Sequence, residues 1–267
     1  LVISGPIYTV GTNIGIGNST LYAVTSANNT AIGFNSAGLI TIPSSVISFS
    51  NLSNVTRISV YADATKMVAL STTDTYTVYY STSSSGFTTW GNFNIGESDP
   101  ITNIASGAGT KFFYVRYGVM YMSAILVKDA NFSTGSANWY SYSSTNNHLL
   151  DIDVTPDESK IVVAYSAGVY FVTNYSYSYF SMYYLDTGTT SSTSMAYTGI
   201  TAVAISPDGN TVCFADASNI YIAVYSGPGY TISTLTSNSN TITKLRYTYN
   251  NQLFASVQNN ANYSVYV

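Results

Sequence analysis

From residue 201 to residue 225 the apolar and polar positions form a pattern that recurs along the chain. The segment TAVAISPDGNTVCFADASNIYIAVY reads as a strand, a tight turn at Pro207-Asp208-Gly209, a second strand, a short turn at Ala217-Ser218-Asn219 and a third strand. Five further copies align on its first strand and turn, starting near Leu21, Arg57, Asn103, Asp151 and Lys244. Lys66, Lys111 and Lys160 share one position just after the turn. An apolar run follows at 67–70, 112–115, 161–164 and 212–215, as expected for a strand covered on both faces. No window carries the 3.6-residue stripe of an amphipathic helix, and Tyr, Val, Ile, Thr and Phe dominate.

Copies about 37 to 51 residues apart fall in the range of β-propeller blades. The reading is an all-β, six-bladed β-propeller of four-stranded antiparallel blades in a single domain. The blades are expected at about 16–54, 55–100, 101–147, 148–199, 200–240 and 241–267 plus 1–12. The last copy ends after its third strand, so residues 1–11 are expected to supply its fourth strand. That pairing would close the ring and remove exposed sheet edges. In two consecutive copies the fourth strand is marked by Gly-x-x-x-Trp, at Gly86…Trp90 and Gly135…Trp139, with the tryptophans read as packing residues at the outer edge.

Composition narrows the setting. Only 7% of the 267 residues are charged, against about 25% in an ordinary soluble domain. Ser, Thr, Asn and Tyr supply the polarity instead, a composition suited to dense packing against neighbours on a cell surface or outside the cell. Eight Lys and Arg against 12 Asp and Glu argue against nucleic acid as a partner. No apolar run is long enough to span a bilayer. No signal peptide is visible and the first residue is not Met, the pattern expected of a processed form or an excised segment. The single cysteine, Cys213, falls in an apolar strand and reads as a buried small residue. Lack of disulfides in a secreted protein fits an archaeal or bacterial source better than an animal one.

Seven Asn-x-Ser/Thr sequons occur, at Asn18, Asn28, Asn51, Asn54, Asn131, Asn174 and Asn262. Chance alone would produce that number from this composition. Their positions carry more: Asn28 lies at an expected turn, Asn51 and Asn54 between blades, and Asn131 and Asn174 after third strands, where covalent glycans can be held on the surface.

Over residues 203–224 the run V-A-I-S-P-D-G-N-T-V-C-F-A-D, followed by I-Y-I-A-V, resembles the blade motif of YVTN-type propellers of archaeal surface-layer and secreted bacterial proteins. Val169-Tyr-Phe-Val-Thr-Asn174 echoes the same motif on a third strand. The resemblance covers one blade well and a second in part; the other copies keep only the hydrophobic pattern. It implies an extracellular repeat domain for surface architecture or binding, with no catalytic residues. Separately, the segment from Tyr80 to Trp90 is similar to the Asp-box hairpin of sialidase-like propellers, with Ser84 in place of the aspartate and the Trp one place late.

Candidate chemistry is sparse. A sialidase-like hydrolase needs an arginine cluster, a nucleophilic Tyr and a carboxylic acid. The arginines are Arg57, Arg116 and Arg246. Arg57, Asp151, Asp153, Lys244 and Arg246 all fall on innermost strands. They read either as ion pairs plugging the ring or as a polar channel for a small ion or sugar acid. Asp151, Asp153, Asp157 and Glu158 lack the spacing of a calcium loop. His148, the one histidine, has no second His or Cys for a zinc site. No metal, cofactor or catalytic residue is expected. Alternation of Tyr with Ser from Tyr175 to Tyr184 places several rings on one strand face, either against the next blade or as a contact surface.

Three functions follow in order. The first is a non-enzymatic extracellular propeller acting as a structural or adhesive subunit of a cell surface, sheath or filamentous appendage. It would be glycosylated and associate with itself or with neighbouring subunits. The second is a glycan- or protein-binding receptor module. The third is a sialidase-like carbohydrate-active enzyme.

Overall fold

The computed structural model of the protein describes residues 7–10, 13–16, 52, 54–61, 65–85, 89–94, 100–107, 111–116, 123–129, 138–142, 149–165, 168–173, 181–185, 197–226, 230–237, 241–248, 250–259 and 262–266. These residues are all-β, with one turn of 3-10 helix at Ser83–Ser85 and no α-helix among them. A hairpin of β1 (Ile7–Val10) and β2 (Asn13–Ile16) comes first. Sheet 1 holds β3 (Val55–Val60), β4 (Lys66–Ser71), β5 (Thr77–Thr82) and β6 (Gly91–Asn94). Sheet 2 holds β7 (Ile101–Ser106), β8 (Lys111–Arg116), β9 (Ser123–Asp129) and β10 (Asn138–Tyr142). Sheet 3 holds β11 (Leu149–Val154), β12 (Lys160–Tyr165), β13 (Gly168–Thr173) and β14 (Ser181–Tyr184). Sheet 4 holds β15 (Ala202–Ile205), β16 (Thr211–Ala215), β17 (Asn219–Tyr225) and β18 (Tyr230–Ser237). Sheet 5 has three strands, β19 (Thr241–Tyr247), β20 (Leu253–Asn259) and β21 (Asn262–Tyr266). Every sheet is an antiparallel meander in chain order.

Burial explains the apolar runs. Residues 67–70 of β4, 112–115 of β8, 161–164 of β12 and 212–215 of β16 are all buried, because each second strand is covered on both faces. Val68, Ile104, Phe112 and Tyr114 pack together between sheets 1 and 2. Phe113, Ile152, Val163, Val203 and Phe214 belong to one core running through sheets 2, 3 and 4. Cys213, Ala215, Ile242 and Leu245 fill the space between sheets 4 and 5.

The tight turns repeat in detail. In Thr155–Lys160 and Ser206–Thr211 the leading hydroxyl bonds the aspartate two residues on and accepts from the N–H five residues on. The fourth residue of each turn is left-handed, Glu158 at φ 59° and Gly209 at φ 68°. Lys160 Nζ donates to Gly209 O at 3.0 Å, joining the turn of sheet 3 to that of sheet 4. At Gly107 a Cβ would lie 2.4 Å from Glu158 Cγ and 3.1 Å from Pro156 O, so Gly107, just after β7, sits against the turn of sheet 3.

First strands pack side by side in the order β3, β7, β11, β15, β19. Ser59 and Ser106 hydroxyls meet at 2.7 Å, Thr102 Oγ1 donates to Leu149 O at 3.3 Å, and Thr201 Oγ1 to Ile242 O at 3.3 Å. The row is curved. Lys244 Nζ of sheet 5 lies 3.4 Å from Asn103 Oδ1 of sheet 2. Sheets stack about 10 Å apart, so three steps of a flat stack would separate those strands by roughly 30 Å.

The N-terminal expectation needs correcting. Ile7–Val10 pairs with Asn13–Ile16, from Ile7 opposite Ile16 to Val10 opposite Asn13, and does not join sheet 5. The physical reason is loop closure: a two-residue link brings β1 to β2 at small entropic cost, while β21 lies near the other end of the chain. Among the described residues, sheet 5 has no fourth strand.

Candidate functional site

A bulge positions the side chains of the first strands. The pairing of β3, β7, β11 and β19 with their second strands slips at Val55/Arg57, Ile101/Asn103, Leu149/Asp151 and Ile242/Lys244. Three of the skipped residues are threonines, and each caps a second-strand carbonyl: Thr56 with Leu70 O, Thr102 with Val115 O and Thr243 with Ser256 O. A bulge re-aims the side chain that follows it. Arg57, Asn103, Asp151 and Lys244 thus occupy equivalent places. Two residues on, the pleat returns to the same face at Ser59, Ala105, Asp153 and Arg246.

Asp151 is the hub. Its side chain is fully buried. Oδ1 accepts from Asn103 Nδ2 of sheet 2 at 2.7 Å, from the Ile152 N–H of sheet 3 at 2.8 Å and from Lys244 Nζ of sheet 5. Oδ2 accepts from the Val203 N–H of sheet 4 at 3.1 Å. One carboxylate therefore ties four sheets together. Asn103 in turn accepts from the Ile104 N–H at 2.9 Å.

The next layer is looser. Arg246 Nη1 stands 3.7 Å from Asp153 Oδ1 and donates to Leu245 O at 3.2 Å, while Asp153 Oδ2 accepts from the Ile205 N–H at 3.0 Å. Burial raises the Asp153 pKa, opposed by the Arg246 charge and the Ile205 hydrogen bond. Burial together with the like charges of Arg246 and Arg57 outweighs Asp151 and pushes Lys244 down to about 7. Arg57 is exposed, and its Nη1 donates to the carbonyl of its own neighbour Thr56 at 2.8 Å.

Of the five channel residues named from the sequence, four meet in pairs and Arg57 stands apart from both carboxylates. Asn103 was missed, because a neutral amide carries no charge signal. Its position at the head of an aligned copy, level with Arg57, Asp151 and Lys244, was the available clue.

Elsewhere the chemistry is quiet. Cys213 is buried, its Sγ 3.1 Å from the Tyr247 hydroxyl, and burial raises its thiol pKa to about 11. Asp157 is held low by the Thr155 hydroxyl and the Ser159 donors, so it serves its turn. No group of His, Cys, Asp and Glu suited to a metal exists among the described residues. Among them, too, no helix is long and apolar enough to cross a membrane. Asn54 is exposed, in the left-handed region at φ 54°, with Nδ2 3.3 Å from Thr73 Oγ1. Asn262 opens β21 opposite Asn259. Asn18, Asn28, Asn51, Asn131 and Asn174 lie outside the described residues, as do His148, Tyr175, Tyr177 and Tyr179. Trp139 lies in β10, Trp90 just before β6, and Arg116 ends β8.

No protein-family model and no curated protein sequence matches this chain.

Proposed function

We propose that the protein is a non-enzymatic, extracellular β-propeller that builds a cell surface, sheath or appendage through contacts between neighbouring copies. The five sheets act as blades. The curved row of first strands and the stacking of successive turns favour a ring over a flat stack. The YVTN-type blade motif at residues 203–224 favours an extracellular setting, and exposed Asn54 is a suitable site for a covalent glycan.

One observation carries the choice of role. The inward carboxylates are spent on holding sheets together, while the outer strands of sheet 4 expose apolar side chains. Val224 is 45% exposed, Tyr225 51% and Leu235 51%. Asp151 takes four donors, and Asp153 takes one with a loose ion pair to Arg246, so neither resembles the acid–base pair that glycoside hydrolysis requires. Exposed aromatic and aliphatic side chains in a chain of few charges suit contact with neighbouring subunits. Electron microscopy of native material, with light scattering across a concentration series, tests the role. Arrays or filaments support it; a monomer at all concentrations and in the native material overturns it.

A further inference from the structure

Three side chains at the joint bring an amine, an amide and a carboxylate together. Asn103, Asp151 and Lys244 come from sheets 2, 3 and 5, and the first two are buried. Asp151 Oδ1 accepts from Lys244 Nζ and, at 2.7 Å, from Asn103 Nδ2. Lys244 Nζ also lies 3.4 Å from Asn103 Oδ1, so the amine stands at the amide carbonyl.

Each group holds the place that amide exchange requires. Burial first, and then the Arg246 charge, push Lys244 down to about 7, so much of it is a neutral, nucleophilic amine at neutral pH. The Ile104 N–H donates to Asn103 Oδ1 at 2.9 Å, where negative charge develops when the carbonyl is attacked. Asp151 touches both the nitrogen that must lose a proton and the nitrogen that must gain one. Asp151 itself is the poorer target for the amine, because a carboxylate resists nucleophilic attack.

We propose that Lys244 and Asn103 form an intramolecular isopeptide bond, with Asp151 as the proton carrier. The Lys244 Nζ lone pair attacks Asn103 Cγ, and the Nζ–Cγ bond forms. Asp151 Oδ1 takes one proton from Nζ and delivers it to Nδ2. The Cγ–Nδ2 bond breaks with its electron pair on nitrogen, ammonia leaves, and Asp151 is a carboxylate again. The Lys244 side chain keeps 22% of its surface exposed, which gives ammonia a way out. The bond would join strands 141 residues apart in a chain whose single cysteine allows no internal disulfide. Until it forms, the joint is the ion pair described above; afterwards Lys244 no longer titrates. The bond depends on the joint alone, so it and the assembly role can fail separately.

Intact-mass spectrometry and peptide mapping test it, on the full folded chain made in a host without N-glycosylation and incubated at pH 8. The expected mass is below that of the sequence by one ammonia. The map should hold one branched peptide that joins Asn103 to Lys244, survives reductant and is uncut by trypsin after Lys244. Lys244→Met and Asn103→Ala should restore the full sequence mass, as should Asp151→Asn if it folds. A folded chain of unchanged mass overturns the proposal. So does loss of one water with a Lys244–Asp151 peptide, or loss of ammonia confined to a peptide without Lys244. An Asp151→Asn variant that cross-links as completely as the original chain removes the carrier role.

Discussion

Lys244 and Arg246 are two residues apart on β19 and face the same way, yet they meet their carboxylates differently. Lys244 touches an Asp151 that is buried and already bonded to sheets 2, 3 and 4. Arg246 stands 3.7 Å from an Asp153 that is bonded to sheet 4 alone. The difference comes from sheet 2. Asn103 reaches across to Asp151 in the first layer, whereas Ala105 occupies the corresponding place in the second and has nothing to offer. An amide at one pleat position turns an ordinary ion pair into a joint between four sheets. Where that amide is missing, the ion pair stays loose.

The largest effect should come from cutting that joint. Asp151→Ala strands an ammonium, an amide and two backbone N–H groups, and should cost about 3–5 kcal/mol in urea denaturation. Asp153→Ala should cost only about 1 kcal/mol, because the pair it breaks is loose and partly exposed. Equal losses would erase the distinction between the layers. Gly107→Ala falls between them, at about 1–3 kcal/mol, since its Cβ would press on the backbone carbonyls of Thr155 and Pro156.

Proton linkage sharpens the same contrast. The folded pKa of Lys244, about 7, lies below its unfolded value, so the unfolded chain binds more protons above pH 7. Stability should therefore rise with pH from about 7 to about 8.5, with a slope of up to about 1 kcal/mol per unit. Above that, Cys213 acts oppositely: its unfolded thiol ionises near 9 while burial holds the folded one to about 11. The slope between pH 7 and 8.5 should vanish in Lys244→Met, as read from denaturation midpoints at several pH values. Arg246→Met should leave most of it.

The smallest effect on stability belongs to the outer edge. Tyr225→Ser and Leu235→Ser should change unfolding free energy by less than about 0.5 kcal/mol, because both side chains are more than half exposed. They should nonetheless reduce concentration-dependent assembly in light scattering. Loss of stability with no change in assembly would place the contact surface elsewhere.

Much of the all-β architecture was legible because second strands announce themselves. The runs at 67–70, 112–115, 161–164 and 212–215 are apolar since both faces are covered, and tight turns at Thr155–Lys160 and Ser206–Thr211 precede two of them. The joint was half legible. Charge drew attention to Asp151, Asp153, Lys244 and Arg246, while neutral Asn103 and the bulges that aim it left no mark in the hydrophobic pattern. The N-terminal pairing was misread because alternation in residues 7–10 fits any strand partner. Only the short link after Val10 favours the local one, and a repeat-based reading gives such links little weight.

The central claim is that sheets 3 and 5 meet through Asp151 and Lys244. A double-mutant cycle with Asp151→Asn and Lys244→Met, followed by urea denaturation, tests it directly. The account predicts a coupling energy of about 1.5 kcal/mol or more. Additivity within about 0.5 kcal/mol would mean that the two residues do not meet, and would contradict the convergence of the inner strands.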